Sequence, residues 1–514
     1  MTGSHLWSFF QKQVQQHADH VALIGLDGKR HAQGTADRPY RLTWMQLDVA
    51  SFNTAAHLTR IRRDPFQSTT SQGPLDDGTP ATFVLHECKN ELTDVLIYLA
   101  CLRGGFVDVP VDDRLSNRTR DEIIARVDSR KRDVIHMDRA STMAAAHSTI
   151  DSIADSDVIP ATPESTSTVL WTSGTTGVPR GVQLSNNALA LNANSKLNAA
   201  PQTSQDVRLT SLSLAHAYAR TCDLGTWLIR GGTLALGRGF TGWQRLGRVA
   251  RPTLANVVPS LAKRLLEHDA KSLGTERLRM LGCGGAGLDQ HTYESWARRG
   301  VHVILGYGLT ETGPVISSGT PENSRFGCVG HPTDAWETRL DEGRLKVRGP
   351  CLMSGYLDDQ DANQQKIDAS GWFDTGDLIQ LDPTSGQWRV LGRDDDMIVL
   401  DDGYNLHPVP MEMTVGALPD VLHVLIRRVE CQLEGWLWLA PDTNDDRERS
   451  LVRALDRTQR AWPTFARRIR WKVSERPLHP DTHLTSKGTL RRAAIFAETE
   501  WNTRPLNGSI DAND

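Results

Sequence analysis

Residues 170–185 read LWTSGTTGVPRGVQLS. Thr172, Ser173, Gly174, Thr175, Thr176 and Gly177 place four hydroxyls and two glycines in six consecutive positions. The apolar run before them, residues 168–171, reads as a strand. Glycines let a backbone approach a ligand closely, and hydroxyls and unpaired amides donate to phosphate oxygens. Arg180, three residues beyond Gly177, adds a permanent positive charge. A loop of this chemistry suits a polyphosphate. The GxxxxGK[ST] spacing of the common P-loop is absent.

Outward from this loop the chain alternates strand and helix. Residues 81–86 read as a strand, 91–103 as an apolar helix and 106–111 as a second strand, together a βαβ unit. Residues 133–136 add a strand, and a polar connection over 148–167 leads into the loop. Strands over 233–236, 254–258, 279–281 and 302–305 alternate with helices near 243–249 and 260–268. This pattern predicts doubly wound α/β layers with ligands at the strand ends. From about residue 336 short β segments (344–348, 387–391) suggest a small β-rich subdomain. Beyond Gly392, strands over 421–427, 436–440 and 469–473 and a helix over 447–460 read as a compact α+β domain. The expected division is therefore 1–392 (1–165 and 166–335 α/β, 336–392 β-rich), 393–498, and a polar, frayed tail over 499–514.

The loop and five later segments, in order, resemble the signature of the adenylate-forming superfamily: acyl-CoA synthetases, luciferases and peptide-synthetase adenylation domains. The five are residues 284–288 (GGAGL), 306–313 (GYGLTETG), 371–377 (GWFDTGD), 392–398 (GRDDDMI) and 403–408 (GYNLHP). The resemblance implies a large N-terminal nucleotide-binding domain and a small mobile C-terminal lid, with ATP, Mg²⁺ and coenzyme A as reactants and cofactor. Gly284, Gly285 and Ala286 would border the adenine. Tyr307 would stack on it, with Gly306 and Gly308 removing side chains in the way. Thr310 would donate to the α-phosphate, and Glu311 would hold Mg²⁺ with the phosphates, a usual arrangement for that ion. Asp377 would accept from both ribose hydroxyls, with Arg393 beside it. Asp395 matches the hinge, and Gly403 the loop that the hinge brings to coenzyme A. Arg180 stands where the family has lysine; it keeps the charge but not the reach.

The family's catalytic lysine is displaced. In LTSKGTLRR (484–492) the flanks put Thr489 at its position, with Lys487 two residues earlier. Three outcomes stay open: Lys487 reaches the site through a shifted loop, adenylation is slow, or it is lost and the chain only binds nucleotide or acyl groups. Residues 211–220 (SLSLAHAYAR) resemble a segment of long-chain acyl-CoA synthetases, which would put His216 at the carboxylate end of an acyl tunnel. The aromatic-Asp signal for an amino group is absent, so a fatty or other apolar acid is the expected substrate. Coenzyme A is the expected acceptor. A carrier-protein phosphopantetheine and a β-lactone-forming fate of the adenylate are the alternatives.

Bulk properties agree with such an enzyme. The 514 residues exceed a single core. A net charge of −4 gives no footprint for nucleic acid. Seven dispersed cysteines without CxxC spacing point to reduced thiols. No signal-like N-terminus or spanning run is present, so the expected location is cytoplasmic, with at most peripheral membrane contact.

Overall fold

The βαβ unit is present as strand Thr82–Cys88, helix Leu92–Gly104 and strand Val107–Asp112, the two strands parallel. The helix starts where Glu91 and Asp94 form a reciprocal capping box, Asp94 accepting from the Glu91 N–H at 2.8 Å. It stops at Gly105, whose φ of 65° suits glycine. Nearly all its residues are buried, as befits an apolar helix covered on several sides. The computed structural model describes residues 5–26, 38–63, 81–128, 133–148, 158, 161–173, 179–400, 405–429, 432–463, 467, 469–485, 489–498 and 501–506.

Described residues pack into two compact units. The first comprises Met1–Gly285, Thr292–Thr338 and Val347–Asp374; the second Ala286–His291, Arg339–Lys346 and Thr375–Asp514. The first unit holds two sheets. One has six strands in the order Gly355–Tyr356, Pro179–Ser185, Thr166–Ser173, Val107–Asp112, Thr82–Cys88, Asp133–Met137. The other has nine; its interior strands His302–Gly308, Met280–Cys283, Leu254–Val257, Val207–Thr210 and Thr233–Leu236 are parallel neighbours.

The sheets do not follow the expected 165/166 division. Val21–Leu26 joins the nine-stranded sheet beside Thr233–Leu236, while Thr166–Ser173 and Pro179–Ser185 join the six-stranded one. Each strand goes to the sheet that buries both its faces, whatever its place in sequence.

In the second unit residues 377–381 pair antiparallel with Trp388–Arg393, and the ladder runs Asp377 opposite Arg393. This pairing carries the β-rich segment through the expected 392/393 boundary. The strands Val421–Val429, Gln432–Leu439, Arg470–Ser474 and Thr503–Pro505 form one sheet. Its last strand corrects the expectation of fraying directly after residue 498. Asn502 O accepts from Glu475 N, Arg504 pairs with Glu448, and Leu506 is buried. Among the described residues no helix is long and apolar enough to cross a membrane.

Candidate active site

The strands on either side of the Ser/Thr/Gly stretch form an antiparallel hairpin, with Thr172 opposite Arg180 and Ser173 opposite Pro179. Gly174, Thr175, Thr176 and Gly177 lie outside the described residues. The hairpin's outer strand pairs with Gly355–Tyr356, putting Tyr356 opposite Val182. Arg180 Nε lies 3.2 Å from Asp359 Oδ2, and its guanidinium sits 5.5 Å from the centre of the Tyr356 ring. The Tyr356 hydroxyl donates to Glu311 Oε1 at 2.8 Å. Burial, reinforced by the Glu311 charge, pushes the phenol far above its ordinary range, so it remains a donor. One cluster thus links Asp359, Arg180, Tyr356 and Glu311.

Glu311 belongs to the short turn Thr310–Thr312, which follows the strand His302–Gly308. Buried side chains hold this turn from behind. Asn192 Nδ2 donates to Thr312 O at 3.0 Å and Val315 O at 2.9 Å, and its Oδ1 accepts from Val315 N at 2.9 Å. Thr221 Oγ1 donates to Gly313 O at 2.6 Å, and Met353 N donates to Glu311 O at 2.8 Å. Thr310 and Tyr307 are half-buried at its rim.

A carboxylate held in this way is a hard oxygen ligand and fits Mg²⁺. Among the described residues no cluster of three or more metal-ligating side chains exists.

Gly308 has a reason besides ligand access: a Cβ there would fall 1.6 Å from Pro314 O. Gly306 is also tight, its Cβ position 3.0 Å from Ser317 O. Gly284 is buried at the end of Met280–Cys283, where a Cβ would come 3.2 Å from the Tyr218 ring. Gly285, with φ of 84°, and Ala286 are exposed.

His216 precedes a short helical segment, half-buried, with Nε2 3.3 Å from Asp112 Oδ2. Burial raises the Asp112 carboxyl, but His216 and Arg114 outweigh it and hold the group well below the usual carboxylate range. Arg238 also pairs with Asp112. The histidine therefore sits beside a fixed negative charge.

In the second unit Asp377 is 6% exposed, with Oδ1 3.5 Å from Arg393 Nη1. Arg393 Nη1 also donates to Thr375 O at 2.8 Å, and Thr375 Oγ1 donates to Leu345 O at 2.8 Å. Gly376, φ 71°, leaves room for that guanidinium, since a Cβ there would meet Arg393 Nη2 at 2.7 Å. The two residues expected at the ribose are thus brought together.

Asp395 is exposed, while its neighbours Asp394 and Asp396 face Arg344 and Arg492 at 2.6 and 3.6 Å. Gly403 and Lys487 lie outside the described residues. Thr489 is described. Its hydroxyl shares a 2.6 Å hydrogen bond with that of Thr485, and its carbonyl accepts from Thr485 N at 2.8 Å. Arg491 Nε donates to Leu484 O at 2.9 Å, and Arg492 pairs with Glu412. These ties hold both arginines within the second unit.

Tyr356, Asp359, Asp112 and Asn192 escaped sequence reasoning. Each acts through a partner 45 to 179 positions away (Glu311, Arg180, His216, Thr312), and no local spacing records such pairs.

Comparison with known proteins places this geometry. Residues 79–357 match the family model described as AMP-binding enzyme. Feruloyl-CoA synthase of an Amycolatopsis species is 28% identical over 349 residues, 63% of this chain and 70% of that protein. A long-chain-fatty-acid–CoA ligase of Yersinia pestis is 29% identical over 285 residues, 52% of this chain and 50% of that protein. O-succinylbenzoate coenzyme A synthetase of Bacillus subtilis, solved with AMP, superposes with a TM-score of 0.76 at 21% identity. The match covers 97% of this chain and 99% of that one, and shows the fold.

Proposed function

Because the chain belongs to the AMP-binding enzyme family, whose model spans more than half of it, we propose that it is an ATP-dependent, AMP-forming acid–coenzyme A ligase. A carboxylate oxygen of the acid attacks the α-phosphorus of ATP, the bond to pyrophosphate breaks, and acyl-AMP forms. The thiol of coenzyme A, losing its proton, then attacks the acyl carbon, and AMP leaves. Both steps rest on positioning and charge stabilisation rather than a protein nucleophile.

The observation that carries the reading is the Asp359–Arg180–Tyr356–Glu311 cluster beside the Ser/Thr/Gly hairpin. Arg180 offers charge to phosphate oxygens, with Asp359 and the Tyr356 ring setting its direction. Tyr356 orients the Glu311 carboxylate, which would hold Mg²⁺; the ion supplies charge neutralisation on the leaving pyrophosphate. Thr310 donates to the α-phosphate, and Asp377 with Arg393 holds the ribose. His216, positioned by Asp112, meets the acid's carboxylate. Lys487 supplies the cation for adenylation. Dispersed thiols fit action in the reducing cytoplasm.

The relatives' names divide over the acid: one acts on an aryl acid, another on a long-chain fatty acid. A compact acid is the better fit here. The Tyr218 ring lies against Gly282 and Gly284, which shortens the space along that strand. A fatty acid, suggested by residues 211–220, is the second reading. Pyrophosphate exchange across a panel of aryl, short and long aliphatic acids tests both. Mass spectrometry with coenzyme A or holo-carrier protein then identifies the acceptor. Exchange with no acid, despite ATP binding, would sink the ligase reading.

A further inference from the structure

The helix Asn186–Ala199 carries Lys196 into the interior of the first unit, 7% exposed. Its Nζ donates to Ser318 Oγ at 2.8 Å, and Ser318 passes its own proton on to Gly319 O. The ammonium faces a narrow cavity with room for a water-sized group. Lys196, Arg208, Asn256, Met280, Gly282 and Ile304 contribute to its wall.

Among the described residues no carboxylate answers this charge. The charged groups acting on Lys196 are Arg208, itself a cation, and Cys222, whose thiol burial pushes up to about 12 and so keeps neutral. The nearby carboxylate of Asp223 is taken by Arg208 at 2.8 Å, Thr210 at 2.9 Å and Asn256 at 2.7 Å. Buried ammonium groups are ordinarily paired. Burial, reinforced by the Arg208 charge, lowers this one to about 8, the response of a cation short of a counter-charge.

The cavity also lies next to the chemistry. Gly282, on its wall, is two residues before Gly284 on the strand Met280–Cys283 and its following turn. Asn256 accepts from the Tyr218 hydroxyl at 3.2 Å, two residues beyond His216.

We propose that this cavity binds a small monoanionic group, with Lys196 as its counter-charge. The group is either the distal carboxylate of the acid being activated or a free monovalent anion. The first form rests on the ligase reading; the second does not.

The full chain is compared with Lys196→Met, which keeps the side chain's length and flexibility without its charge. Melting temperatures are measured in sodium chloride and in sodium gluconate at equal ionic strength. Pyrophosphate exchange is measured for pairs of acids matched in length, one of each pair bearing a second carboxylate. A free anion predicts a melting temperature raised by chloride over gluconate, with the rise gone in the variant. A substrate carboxylate predicts a diacid-over-monoacid ratio of kcat/KM that falls about tenfold or more in the variant, the scale of one charge-assisted hydrogen bond. Absence of both dependences in the native protein, or survival of the observed one in Lys196→Met, overturns the proposal. If no acid supports exchange, the ligase reading fails and the chloride comparison alone decides. Should Lys196→Met not fold, Lys196→Gln, which retains a donor for Ser318, takes its place.

Discussion

Two turns of this protein carry comparable claims on the reaction and are built in opposite ways. The Thr310–Thr312 turn is anchored from outside itself by Asn192, Thr221, Tyr356 and the backbone of Met353. The segment between Thr485 and Thr489 is closed by those two threonines bonding to each other, and by a Leu484–Leu490 bridge. The first presents its carboxylate on a fixed frame. The second is bounded by residues bonded to each other, and by the resemblance Lys487 stands two places before the family's lysine. Preorganisation by several packed elements tolerates little change in sequence, whereas a self-closed loop can shift its reactive residue along the chain.

That contrast can be broken most decisively at Lys487. If the loop delivers this lysine, Lys487→Ala lowers pyrophosphate exchange about 10²-fold or more, the scale of one lost transition-state contact. Thr489→Lys restores the family position but removes the Thr485–Thr489 hydroxyl bond. A large gain in exchange would show that the natural loop holds the enzyme back. Full activity in Lys487→Ala would mean that this turn carries no catalytic charge at all.

A smaller effect is expected at Asp377, which stands on a paired strand and so belongs with the rigid class. Asp377→Ala weakens ATP binding by ~1.5 to 3 kcal/mol, the worth of a charged hydrogen bond. Calorimetric titration measures it, and unchanged affinity removes the residue from the site.

Asn192→Ala sharpens the same contrast through stability. Its three hydrogen bonds to the turn and to Val315 are buried, so their loss costs about 2 kcal/mol in urea denaturation. Thr485→Ala, at the other turn, should cost less than ~1 kcal/mol. Equal losses would erase the distinction between anchored and self-closed turns.

The last expected effect depends on pH and lies deeper in the first unit. Burial pulls the His86 imidazole down, but its 2.9 Å hydrogen bond to Asp108 and the nearby Asp94 outweigh burial and hold it at about 9. The native state keeps this proton after the unfolded chain has lost it. The histidine's contribution is therefore complete below about pH 6.5 and falls as pH rises toward 9, by at most about 1.4 kcal/mol per pH unit. His86→Gln should flatten that slope in pH-resolved denaturation. An unchanged slope would place the titration elsewhere.

The sequence by itself determined the element types, the family and most of the candidate site. Strand and helix periods are local, and residues 170–185, 306–313 and 371–377 concentrate small, hydroxylated and charged residues in short stretches. Local spacing also puts Glu311 in its turn, Arg180 beyond its loop and Asp377 after Gly376. Only the tertiary structure decided which strands share a sheet. It drew Val21–Leu26 to the sheet of Thr233–Leu236 and extended the last sheet with Thr503–Pro505. It decided also that Tyr356 and Asp359 would direct Glu311 and Arg180, that Pro314 would require glycine at 308, and that Lys196 would be buried without a carboxylate. Each of these is a contact between positions far apart in the chain. Such contacts follow from which faces bury each other when the whole chain packs, a condition no short stretch of sequence contains.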